Sequence, residues 1–125
     1  MRHVIRPIPL VIAAIVLATS IMLVASDGVR WWFIALGLIG PDLSFFAAIG
    51  GPAPVNGTVP PRVVKPYNFV HHPTGPLLAV TASLAFRNPT ALTASLAWQS
   101  HLLFDRGMGY GLRAPDGSII RQTKL

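Results

Sequence analysis

Apolar residues run along this chain in four long blocks separated by short polar or proline-rich stretches. Ile8 to Ala25 is almost unbroken, preceded by Arg2 and Arg6 and closed by Ser26-Asp27-Gly28. About 18–20 helical residues at 1.5 Å each cross the ~30 Å hydrocarbon layer, so this block predicts a membrane helix over residues 8–26. The rival reading is a cleaved signal peptide with Val24-Ala25-Ser26 as its small-residue site, but such segments ordinarily have an apolar core of ~7–15 residues. The second block, 31–49, opens on Trp31-Trp32, a pair suited to the membrane interface. Gly40-Pro41-Asp42 interrupts it. Proline removes a backbone donor and crowds the preceding turn, which predicts a break near residues 39–42 with Asp42 facing the bundle interior.

Residues 50–66 read as a loop, because Pro52, Pro54, Pro60, Pro61 and Pro66 oppose a regular helix. Asn56-Gly57-Thr58 fits the glycosylation pattern, a match that a cytoplasmic loop would make accidental. The third block, 67–86, starts with Asn68 as a helix N-cap. It reaches spanning length only by including His71 and His72, with Pro73 and Pro76 bending it. Arg87-Asn88-Pro89 makes a turn, and Pro89 can open the last block, 89–105, at its first position. The predicted fold is all-α: a single domain over residues 1–113, forming a four-helix transmembrane bundle with proline-broken second and third helices. Residues 114–125 follow as a basic tail.

Composition narrows the class. The chain is 52% hydrophobic and 11% charged, lacks Glu, and has Asp27, Asp42, Asp105 and Asp116 as its acids. Soluble domains carry about 25% charged residues, so an ordinary soluble domain is excluded. The net charge of +6 does not call for nucleic acid, because the basic residues sit in the gaps between apolar blocks. Arg2, Arg6, Arg62, Lys65, Arg106, Arg113, Arg121 and Lys124 fall on one side of a four-pass arrangement, Arg30 and Arg87 on the other. The positive excess belongs inside, so a multi-pass protein of the cytoplasmic membrane with both termini cytoplasmic is expected. The absence of cysteine excludes disulfides, thiolate metal sites and a cysteine nucleophile.

Ionisable groups cost roughly 2.5–3.5 kcal/mol each at the centre of a membrane helix, so those inside the blocks need a reason. The predicted topology puts Asp42, His71, His101 and Asp105 at one level in the cytoplasmic half, with His101 and Asp105 spaced i, i+4 on one helix face. Imidazole nitrogen and carboxylate oxygen are the non-sulfur ligands of zinc, iron and manganese, which makes these four candidate ligands of a divalent metal. The blander reading is an interhelical clamp, worth ~0.6–2 kcal/mol per contact. His72 reads as interfacial and His3 as part of a solvated tail. Thr19, Ser20, Thr81, Ser83, Thr93 and Ser95 read as helix-packing residues. Arg106 and Arg113, flanking Gly107, Gly109 and Gly111, are candidates for an anion or lipid phosphate. The alternative there is a flexible membrane exit with Tyr110 as aromatic anchor. Tyr67, Asn68 and Tyr110 are expected to support the polar cluster.

Three segments carry a family resemblance: Gly40-Pro41-Asp42-Leu43-Ser44, Tyr67-Asn68-Phe69-Val70-His71 with Pro76, and Trp98-Gln99-Ser100-His101 through Phe104 to Arg113. Together they resemble the bacterial family called domain of unknown function 4260, over about Trp31 to Arg113. The resemblance implies a small multi-pass, four-helix membrane protein and supplies no reaction. The family tends to end on an acid-Thr-His-Leu-Gly pattern, whereas this chain ends Ser118-Ile119-Ile120-Arg121-Gln122-Thr123-Lys124-Leu125, and the stretch Ala53 to Lys65 is longer than the family's loop. A looser similarity, Pro-Asp followed by membrane histidines, to integral membrane metal-dependent hydrolases is analogy. The expected function is a structural or accessory membrane protein. The alternative is a membrane-embedded metal-dependent hydrolase acting on a lipid or lipid-linked substrate, and a third reading is a small transporter or proton relay. The expected partners are the bilayer, anionic lipid headgroups and a second copy of the chain.

Overall fold

The computed structural model describes residues 5–51 and 58–120. His3, Asn56 and the end of the basic tail lie outside them. In order, the elements are α1 (Pro7–Asp27), α2 (Trp32–Ile39), a 3-10 helix (Gly40–Ala48), α3 (Pro61–His71), α4 (Thr74–Ala85) and α5 (Pro89–Gly107). The fold is all-α, and β pairing among the described residues is confined to one isolated bridge, Arg113 to Ile119.

Helix α1 begins with Pro7, whose missing N–H costs nothing in a first turn, and ends at Gly28, which takes the left-handed conformation at φ 68°. Among the described residues it is the one helix long and apolar enough to cross a membrane, and only 11% of its apolar window is buried in the fold. It packs antiparallel along α5, and three hydrogen bonds set the register. The Arg6 amide donates to the Gly107 carbonyl, the Ser100 hydroxyl to the Ala13 carbonyl, and the Ser20 hydroxyl to the Thr93 carbonyl. Each step of seven along α1 is a step of seven back along α5, which is the repeat that keeps one seam facing a partner helix. Ser20 and Ser100 are both buried. Ser100→Ala is expected to cost ~0.5–1.5 kcal/mol, the net worth of an intramolecular hydrogen bond, read as a lower unfolding midpoint.

The second block breaks where Gly40-Pro41 stands, but the chain continues as a 3-10 helix rather than a kinked α-helix. A 3-10 helix turns every three residues, so Asp42, Phe45 and Ala48 share one face, and that face lies along α3. Asp42 reaches His71, Phe45 meets the Tyr67 ring at a centroid distance of 5.6 Å, and Ala48 packs on the small core of Val59, Val63, Val64 and Tyr67.

Two expectations for the third block are corrected. Prolines were expected to keep residues 50–66 irregular and Asn68 to cap a helix, but α3 starts at Pro61 and Asn68 lies inside it. Pro60 and Pro61 occupy the cap and first position, where no intrahelical N–H is needed. Pro66, within the helix, ordinarily costs about 3 kcal/mol or more. Burial of Val63, Val64, Tyr67 and His71 on one stripe at helical spacing offsets that cost. The block is also two helices rather than one bent span. His72 is extended, at φ −76° and ψ 131°, as the residue before a proline prefers, and α4 starts just beyond Pro73.

The tail folds back instead of trailing away. Its turn is closed by bonds from Ala114 to Ser118, Gly117 to Ala114 and Ile120 to Leu112, and the Val59 amide donates to the Gly117 carbonyl. Asp116 accepts from the Ser118 amide and hydroxyl, an Asx turn that holds its carboxyl below the ordinary aspartate value.

Candidate metal centre

Three elements bring four ionisable side chains together. Asp42 comes from the first turn of the 3-10 helix and His71 from the last residue of α3, while His101 and Asp105 lie one turn apart on α5. Each imidazole Nε2 is nearly equidistant from the other imidazole and from both carboxylates. His71 Nε2 lies 3.5 Å from Asp42 Oδ1 and 3.5 Å from Asp105 Oδ2. His101 Nε2 lies 3.4 Å from Asp42 Oδ1 and 3.3 Å from Asp105 Oδ2. The two Nε2 atoms are 3.3 Å apart. The side chains of His71, His101, Asp105 and Asp42 are 3%, 10%, 21% and 51% exposed. Asp42 was expected in the interior but approaches the cluster from its rim.

Backbone contacts fix which imidazole nitrogen faces inward. His71 Nδ1 lies 2.9 Å from the Tyr67 carbonyl, an acceptor, so Nδ1 carries the proton and a neutral ring turns its Nε2 lone pair to the cluster. The Tyr67 ring stacks on His71 at 3.8 Å and 13°, as the i, i+4 spacing allows. His101 Nε2 faces the His71 Nε2 and both carboxylates. Two imidazole nitrogens and two carboxylates at this range need a proton or a cation among them.

The other predicted residues are placed around this core. Tyr67 donates to the Gly111 carbonyl. Asn68 grips Arg113 by two backbone bonds of 2.8 Å, giving its amide N–H to the carbonyl and accepting the Arg113 amide N–H. Arg106 stands with Tyr67, His71, Leu102, Asp105 and Gly111 around a crevice with no room for a water molecule. Arg113 is buried, with its guanidinium 5.6 Å from the Tyr67 ring centroid and Nη1 donating to the Gly117 carbonyl. Tyr110 gives its backbone amide to the Asp105 carbonyl and is about one-third exposed, at 37%. His72 stands outside the cluster and accepts from the Thr74 amide.

Two contributors were not singled out from the sequence. The Trp98 indole donates to the Val70 carbonyl at 2.8 Å, tying the end of α3 to α5 beside His71. The Tyr67 carbonyl orients the His71 ring, a backbone role whose one sequence signal is the i, i+4 spacing.

The chain belongs to the family described as Domain of unknown function (DUF4260), whose pattern it matches over residues 10–125. No curated protein and no solved structure matches it.

Proposed function

We propose that this member of the DUF4260 family is a membrane-embedded protein that holds a divalent cation of the zinc class among Asp42, His71, His101 and Asp105. One observation carries the reading: each imidazole Nε2 lies 3.3–3.5 Å from the other and from one oxygen of each carboxylate, and the ligand atoms of Asp42, His71 and His101 all lie within 4.8 Å of one another. Ligands of a tetrahedral ion with bonds of ~2.0–2.1 Å lie about 3.3–3.4 Å apart. A hydrogen-bonded clamp would instead pull each nitrogen toward one partner at 2.7–3.2 Å.

Membrane embedding is supported by the large apolar side chains that cover the outside of the fold, among them Ile8, Ile15, Met22, Ile39, Phe46, Leu78 and Phe86. A multi-pass arrangement with cytoplasmic termini is the orientation that the basic residues gathered at one end of the blocks favour. The bilayer is then the first partner.

A hydrolytic role is favoured by the half-exposed Asp42, which leaves the cluster approachable from its side. A cation there would bring a bound water toward neutral pKa for attack on a lipid or lipid-linked ester. A purely structural role is favoured by the donor count, since four protein ligands fill a tetrahedral site. Cobalt substitution separates the two. A tetrahedral visible spectrum that shifts on adding azide is the expected result and marks an exchangeable position. A tetrahedral spectrum indifferent to azide supports the structural role, and an octahedral or absent spectrum contradicts the centre itself.

A further inference from the structure

His71 is the last residue of α3, and His72 beyond it is already extended. Helix ends fray, so the backbone there supports an imidazole less firmly than it would in mid-helix. Two contacts from one turn back aim the ring: the Tyr67 carbonyl 2.9 Å from Nδ1, and the Tyr67 ring stacked on it at 3.8 Å and 13°. The aim of His71 therefore depends on what holds Tyr67.

Two of the groups that hold Tyr67 come from the segment that folds back after α5. The Gly111 carbonyl accepts from its hydroxyl at 3.3 Å. The buried Arg113 guanidinium stands 5.6 Å from its ring centroid, within the ~6 Å reach of a cation–π contact. Asn68, the next residue of α3, holds the Arg113 backbone through both its N–H and its carbonyl, with bonds of 2.8 Å. Arg113 is also fixed by the turn behind it, through Nη1 to the Gly117 carbonyl at 3.3 Å. That turn is seated by Val59, whose amide donates to the same carbonyl. Gly117 is required there, because its φ of 89° is left-handed and the Val59 carbonyl occupies the space a Cβ would need. At its near end the segment is anchored beside another member of the cluster, where the Tyr110 amide donates to the Asp105 carbonyl at 2.8 Å. Residues 105–113 thus connect the helix end that carries one carboxylate to the ring that backs His71.

We infer that the folded-back tail positions the cation site: Arg113, seated by Asn68 and by the turn at Gly117, holds the Tyr67 ring against His71 and so fixes the direction of its Nε2. Arg113 and Asn68 act through Tyr67, as positioning residues. The consequence for the cation rests on the metal-centre reading; the hold on the imidazole does not.

Ring-proton resonances of isotope-labelled histidine test both parts in detergent-solubilised, chelator-treated protein. The chain has four histidines, and His71→Ala identifies the signals of His71. A stacked aromatic ring shields the imidazole protons, so the wild type is expected to show His71 upfield of the exposed His72, with Tyr67→Leu setting the unstacked limit. Arg113→Ala is expected to move the His71 signals toward that limit and to lower cobalt affinity about 10–100-fold, the cost of losing an outer-shell partner. Gly117→Ala, which dislodges the turn without altering α3, repeats both measurements should Arg113→Ala misfold, and near-ultraviolet dichroism identifies the folded variant. His71 signals unmoved in a folded tail variant overturn the inference, as does a cobalt affinity equal to that of a wild type that binds the ion. Moved signals in protein whose wild type binds no cobalt retain the positioning and refute the metal reading, whereas bound cobalt with unmoved signals does the reverse.

Discussion

His71→Ala and His101→Ala are each expected to abolish binding of the proposed cation, lowering its affinity by more than the ~10–100-fold that losing an outer-shell partner costs. Each imidazole supplies one Nε2 that faces both carboxylates at 3.3–3.5 Å. Its removal leaves two negative groups with a single nitrogen between them. Under a clamp, the same substitutions would delete contacts worth ~0.6–2 kcal/mol each and change no metal content. Tyr67→Phe is the internal control: it removes the hydroxyl that reaches Gly111 but keeps the carbonyl that orients His71. It is expected to leave the cation in place, and equilibrium dialysis against zinc distinguishes the cases.

The second large effect is expected at Gly37, deep in the contact between α2 and α5. A Cβ there would collide with the Ala94 carbonyl, lie 2.6 Å from Ala97 Cβ and 2.8 Å from the Trp98 amide. Backbone atoms cannot yield as a side-chain tip can, so α2 must move away from α5. Overpacking of this kind costs about 1–3 kcal/mol, occasionally more. Gly37→Val should sit at the upper end, because its branched side chain also has restricted rotamers. The displacement is felt at the cluster, since α2 leads through Gly40-Pro41 directly into Asp42. Gly37→Val is therefore expected to lower both the unfolding midpoint and zinc retention, while a Gly40→Ala comparison, whose added Cβ would meet only Leu36 Cδ1 at 4.0 Å, lowers neither strongly.

Hydropathy made the helical class legible, together with the break at Gly40-Pro41, because long apolar runs and a proline each act locally. It also suggested that Asp42, His71, His101 and Asp105 would come near one another, and in the structure their side chains meet. What it missed depends on partners distant in sequence. The helix over Pro61–His71 was hidden by its prolines. Their local cost is visible in the letters, while the burial of Val63, Val64 and Tyr67 against the 3-10 helix is not. The three-residue spacing of Asp42, Phe45 and Ala48 became meaningful only once a 3-10 helix laid that face along α3. Asn68 looked like a helix cap because its chemistry suits one. Its actual task, gripping the backbone of Arg113, needed the tail to fold back, and nothing near Asn68 announces that return. Ser100 shows the same limit, since its acceptor is the carbonyl of Ala13 on the neighbouring helix α1, far away in sequence.

The most direct test of the metal centre is elemental analysis of the detergent-purified protein grown with zinc, beside a His71→Ala/His101→Ala double variant. One zinc-class cation per chain in the wild type, absent from the variant, is the predicted result. Wild-type protein that stays free of metal after zinc loading, and is no more stable than the double variant, would contradict it.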